Sequence, residues 1–251
     1  MSPDQRIPFH FHALGHAFSA HFVRPVDIPI AAQAATSLPT IGGHAHAHVE
    51  NFCVPRLVHF RSGKTHVSGS WQEDHIVTSN ATAVLEGLNL LDFVTAERIV
   101  SHLTGEYGGN TGPEGHIIAL GSHFENLRIG GYEVKVILRH DLLLKCQTFA
   151  ELRDSLAGDK DSGKVTRVKN GVALCSLVER IETDLTKLPG VELHGHILHI
   201  RHFGEIALAE VFATPGAATL TMLRFKLGSP NGGSGTSAES STNGQPSPPT
   251  H

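Results

Sequence analysis

Only three cysteines, Cys53, Cys146 and Cys175, occur in 251 residues. Their odd number and the absence of CxxC spacing argue against a disulfide framework and leave them as small buried thiols. Basic residues are outnumbered, 20 Lys and Arg against 24 Asp and Glu, which gives a formal charge of −4 without any cationic run. Nucleic acid and an anionic membrane surface are therefore not expected as partners. No apolar run approaches the roughly 20 residues of a membrane-spanning helix, so no transmembrane segment is expected. No G-x-S-x-G elbow, P-loop or H-E-x-x-H motif occurs. The N-terminus, MSPDQRIPFHFHALGHAF, lacks the basic start and unbroken apolar core of a signal peptide, which leaves the compartment open.

What the chain does have is period-2 alternation. Tyr132, Val134, Val136 and Leu138 alternate with Glu133, Lys135 and Ile137, and Gly130-Gly131 separates this run from the one ending at Ile129, the pattern of a two-residue hairpin. Residues 8–23 alternate similarly, with His10, His12, Leu14, His16 and Phe18 on one face and Phe9, Phe11, Ala13, Ala17 and Ser19 on the other. Leu88 to Leu103 fits helical spacing too, but its β-branched content and bracketing glycines favour strand. Residues 55–66 read as two short strands joined at Ser62-Gly63-Lys64. Further strands are expected over 172–181, 196–200, 205–213 and 218–227, the last two forming a hairpin about Pro215-Gly216.

One helix stands out. Thr148-Phe149-Ala150-Glu151 is a capping box, followed by the apolar stripe Phe149, Leu152, Leu156 and a stop at Gly158. The expectation is a mainly β protein, an antiparallel β-sandwich or β-roll, with a single β-rich domain over 1–227 and a helix-containing excursion at about 146–170. Residues 228–251, rich in Gly, Ser and Pro, carry no apolar run and read as a disordered tail.

Several pieces resemble a known family. GLNLLDFVTAERI (87–99), GSHFENLRIGGYEV (121–134), SLPTIGGHAHA (37–47) and FGEIALAEVFATPGAATLTMLRFKLGS (203–229) are similar to bacterial surface proteins grouped as choice-of-anchor P. That resemblance implies a β-rich extracellular module and transfers no functional residues.

Nineteen histidines are the compositional oddity. They cluster at His10, His12, His16 and His21, at His44, His46 and His48, and at His194, His196, His199 and His202. An H-x-H pair on a strand puts two imidazoles on one side, at a spacing that can share an ion of zinc, copper or nickel. The strongest candidate is His44, His46 and His48 with Glu50, completed by His10, His12 and His16 from a neighbouring strand. H-x-H followed by Glu50 resembles the first metal motif of cupins, without its bracketing glycines or its second histidine motif. Solvated histidines on a strand face are the plainer reading. The leading expectation is a non-enzymatic β-rich structural or binding protein requiring no cofactor, with a homo-oligomer or surface partner. The alternative is a metal-binding protein or metal-dependent enzyme using the clustered histidines.

Overall fold

The computed structural model describes residues 9–24, 27–72, 76–108, 114–146, 148–158, 167–169, 171–228 and 232–246. β1 (Phe9–Phe22), β2 (Ile28–Gln33) and β3 (Thr36–Ser37) begin one sheet. The chain then crosses to a second sheet and lays down the meander β4 (Gly43–Val54), β5 (Val58–Trp71), β6 (Val77–Leu90) and β7 (Val94–Tyr107). The short β8 (His116–Ile118), β9 (His123–Glu125) and β10 (Arg128–Ile129) follow along β7, and β11 (Tyr132–Leu138) continues outward from β10. After α1 (Asp141–Lys145) and α2 (Phe149–Gly158), β12 (Arg167–Lys169) and β13 (Val172–Ser176) return to the first sheet, while β14 (Val178–Thr183) joins the second. Finally β15 (Val191–His194), β16 (Ile197–Ile200), β17 (Gly204–Thr214), β18 (Ala217–Leu227) and β19 (Gly233–Pro246) complete the first.

The result is a mainly β sandwich of two antiparallel sheets, of ten and nine strands. The first runs β12-β13-β17-β18-β19-β1-β2 and the second β14-β11-β10-β7-β6-β5-β4. Alternate residues of every long strand point inward, which is why the period-2 pattern is legible. A line of rings, Phe52, Phe60, Phe18, Phe225 and Phe22, crosses the main core with centroids 4.9 to 6.4 Å apart. A smaller core holds Phe11, Val67, Val77 and Tyr107, with Phe9 and Trp71 packed against it.

Residues 233–246 overturn the reading of a disordered tail, because they form a strand lodged between β18 and β1. The strand lacks large apolar side chains and is held by other means. Ser240 meets Ser101 and Thr242 meets Ser79, each hydroxyl pair at 2.5 Å across the sandwich. Gly235 lies under the Phe225 ring and Gly244 under Phe9, each so close that a Cβ would collide with it. Composition alone misses such a strand because neighbours supply the apolar cover.

Other boundaries shift. The run Leu88–Leu103 contains a hairpin turn at Leu91-Asp92, both with positive φ (56° and 51°), fixed by two hydrogen bonds between Asn89 and Asp92. Residues 58–71 form one continuous strand with no turn at Ser62-Gly63-Lys64, and its phase changes at Arg61-Ser62 instead. Residues 172–183 are two strands, one in each sheet, on either side of Leu177. The Gly130-Gly131 and Pro215-Gly216 hairpins form as expected. The Thr148 half of the capping box forms, with the Glu151 N–H donating to Thr148 Oγ1 at 3.2 Å, and the five-residue α1 adds one further turn of helix. The charged loop after Gly158 lies outside the described residues.

The phase changes are coordinated. Asn51, Gly87 and Asn126 have positive φ (52°, 67° and 49°), as do Ala209 and Ala238 (48° each). By strand register the first three fall on one line across the second sheet, and the last two on one line across the first. Each line reverses inward and outward faces in all the strands it crosses, a bulge-like device extended over a whole sheet. Phe18 therefore turns inward and Ser19 outward, the reverse of simple alternation in β1.

Candidate functional site

Glutamates accompany every one of these positive-φ residues: Glu50, Glu86 and Glu125 precede theirs, Glu210 and Glu239 follow theirs. On the outer face of the second sheet the register places Glu50, Ser62, Glu86, Arg98 and Glu125 in one cross-strand row. Ser62 donates to Glu86 at 2.7 Å, and Arg61, Lys64 and Arg98 lie within 3.9 to 4.0 Å of the same carboxylate. The Ser62 hydrogen bond and these cations hold Glu86 below the ordinary carboxylate range, against a smaller opposing effect of burial.

His44, His46 and His48 lie on this same outer face with Glu50, all exposed. His46 is the direct cross-strand partner of His66, and the row continues through Thr82 to His102. His102 Nδ1 meets Thr82 Oγ1 at 2.7 Å and Nε2 meets Thr104 Oγ1 at 3.2 Å, and burial lowers its pKa. Next to this row, His46, His48, Lys64, His66, Thr82 and Val84 line a shallow groove of about 330 Å³.

His10, His12 and His16 belong to β1, in the opposite sheet, and lie on its outward side. They cannot complete the His44 cluster, because the thickness of the sandwich separates the two faces. Among the described residues no three His, Cys, Asp or Glu side chains converge as a metal site would require.

The outer face of the first sheet carries a different network. Glu210 is buried beside Ala209, and both oxygens are engaged: Arg224 Nε donates to Oε2 at 2.5 Å, while Arg224 Nη2 and His196 Nε2 reach Oε1 at 2.8 and 3.2 Å. Burial alone would raise this carboxyl, but the Arg224 and His196 bonds more than reverse it and bring it down to about 2. Nearby, His16 Nε2 meets Thr236 Oγ1 and the Ser19 hydroxyl at 3.0 and 3.1 Å, with Glu239 at 3.8 Å from its other nitrogen. Burial lowers the His16 pKa and Glu239 opposes that effect.

At one end of the first sheet an open groove of about 600 Å³ is lined by Glu192, His194, His199, Glu205 and Lys226 among others. Glu192, His199, Glu205 and Lys226 are successive cross-strand partners, so the groove wall is a ladder of alternating acid and base. Cys53 is exposed, contrary to expectation, because the Asn51 bulge turns it outward, and Cys175 is buried with its pKa pushed up to about 12 by that burial.

Residues 9–162, more than half of the chain, match a family described as a domain of unknown function, DUF8256. The chain belongs to that family. No curated protein and no solved structure matches it. The matched segment ends beyond α2, yet β1 inside it pairs along its whole length with β19 outside it. In this chain the family segment and the C-terminal strands therefore share one sheet.

The β4 histidines stand out in the sequence, whereas Glu210, Arg224 and Glu86 do not. Arg224 and Glu210 sit in alternating stretches that read simply as strand. The available signal was a charged residue interrupting an otherwise apolar run, ALAEVFA, where the inward face of a strand would be expected to continue.

Proposed function

We propose that the chain is a non-enzymatic, β-rich structural or binding protein that works by associating through its sheet edges and faces. The observation that carries this reading is the long free edge of β4, which pairs with β5 alone among the described residues. Exposed backbone donors and acceptors on an edge favour strand addition from another chain. The polar clusters support the same reading. Glu210 and His16 are engaged by neighbouring side chains rather than open to a substrate, and the groove wall pairs its acids with its bases. The resemblance to choice-of-anchor P proteins adds support for a role at a surface.

A second reading, a metal-binding protein, is favoured by one observation, the cross-strand pair His46 and His66 with His48 beside them in one groove. Two imidazoles plus solvent or a third histidine would hold a zinc, copper or nickel ion. Elemental analysis of untagged protein purified without chelator or nickel resin separates the readings. A stoichiometric metal lost on replacing His46 and His66 with Ala supports the second. For the first, sedimentation velocity of the full chain over rising concentration should show reversible association. A strictly monomeric protein without a binding partner overturns it.

A further inference from the structure

Among the described residues, three of the four strands that end the two main strand orders are blunted. β12 is only three residues long, β2 has six residues including Pro29, and β14 has six with Glu179, Arg180 and Glu182 among them. Shortness, proline and charge are the ordinary protections of an edge strand. β4, the fourth edge, has twelve residues and contains no proline, lysine or arginine. Its side chains are half-exposed even on the inner side, at Ala45, Ala47 and Val49.

The backbone also sets the length of this edge. Gly42 and Gly43 enter with positive φ (90° and 104°), and Asn51 breaks the strand with a positive φ of 52°. Regular extended geometry therefore runs from His44 to Glu50, with Ala47 at its centre. We propose that this run is a docking strand for a second copy of the same chain, paired antiparallel about a two-fold axis at Ala47. The proposal rests on the associating function above and assigns it to one edge and one register.

Two-fold pairing of an edge requires that each residue meet one of the same parity, since alternate residues point their N–H and C=O outward. Centring on Ala47 satisfies this and uses the whole regular run. It sets His44 opposite Glu50 of the second copy, twice, with His46 opposite His48 and Ala45 opposite Val49. Centring on His46 leaves Glu50 without an imidazole opposite it, and centring on His48 carries the pairing into the Asn51 bulge. The chosen register thus matches acid to base and apolar to apolar, and each copy covers the half-exposed inner row of the other.

The test is sedimentation velocity of the full chain near pH 6.5, over about 1 µM to 1 mM, where a small interface titrates. Wild type is expected to form a dimer. Glu50→Arg sets two cations against His44 and its copy, and is expected to weaken the dimer about three- to tenfold. The double variant Glu50→Arg with His44→Glu restores the opposite charges and should recover most of the loss, which a merely local effect of Glu50 would not do. Ala47→Lys, placing two ammonium groups at the axis, should abolish the dimer, with a retained cooperative melt showing that the monomer still folds. A wild-type protein monomeric throughout overturns the self-pairing of β4, and the associating function falls with it only if pull-downs also find no binding partner. A dimer indifferent to these variants overturns only the β4 assignment.

Discussion

Arg224 reaches Glu210 across the positive-φ residue Ala209. Its direct cross-strand partner is Ala207, and a regular strand would put residues 207 and 210 on opposite faces. The left-handed conformation of Ala209 brings both to the outside, so the guanidinium can lie along β17 and close on the carboxylate with two hydrogen bonds. The line of bulges is what makes the ion pair geometrically available.

Replacing Arg224 with Met should therefore strand a buried carboxylate. The loss is expected to be about 2–4 kcal/mol, toward the low end because the guanidinium is partly exposed. The paired replacement Arg224→Met with Glu210→Gln should recover part of it, since no uncompensated charge remains. Urea unfolding of the three proteins at pH 7 checks this, and a double variant as unstable as Arg224→Met contradicts the account. Glu210 is depressed in the folded chain, so its stabilising contribution is complete above the ordinary carboxylate range and is lost as pH falls toward about 2.

Removal of β19 should cost far more than the loss of a polar tail. Without residues 233–251, β1 and β18 become open edges, and the Ser240 and Thr242 hydroxyls no longer partner Ser101 and Ser79 in the interior. A chain ending at residue 232 is expected to lose cooperative unfolding or to fall by more than about 4 kcal/mol, beyond the usual range of single substitutions. Circular dichroism melts compare it with the full chain. A truncated protein melting within a few degrees of wild type would show that the sheet closes without this strand.

Gly87 tests the bulge line in the second sheet. Its φ is +67°, and a Cβ there would stand 3.0 Å from the Arg61 Cβ. Gly87→Val should destabilise by about 2 kcal/mol, from the left-handed backbone and the crowding together. Val84, on the same strand with regular geometry and half-buried, should tolerate Val84→Thr with about 1 kcal/mol or less. Equal losses at the two positions, read from urea midpoints, would remove the special status of the bulge.

Alternation over residues 9–16 and Tyr132–Leu138, the two glycine hairpins and the Thr148 cap were legible because each is a local signal written in adjacent residues. The turn at Leu91-Asp92 was not, since its positive φ values are carried without glycine and held by the Asn89 side chain. β19 was not, since its apolar cover comes from Phe225 and Phe9 on other strands. The β4 histidines were legible as a shared face. Their separation from His10, His12 and His16 was not, because the assignment of a strand to one sheet or the other is a long-range property.

Two partly buried histidines, His16 and His102, give the fold a dependence on mildly acidic pH. Burial lowers the pKa of His102, and burial opposed by Glu239 lowers that of His16, so the folded chain holds both imidazoles neutral where the unfolded chain would protonate them. As pH falls through about 6.5 the unfolded state takes up protons first, and stability decreases until the folded pKa values are passed. His102→Gln keeps a hydrogen-bonding side chain between Thr82 and Thr104 but removes one titration, and should flatten the fall in urea midpoint between pH 7.5 and 5.5. His12→Gln, exposed on β1, should leave the same fall unchanged. If the two variants behave alike, the dependence arises from the summed charge of the surface histidines rather than from His16 and His102.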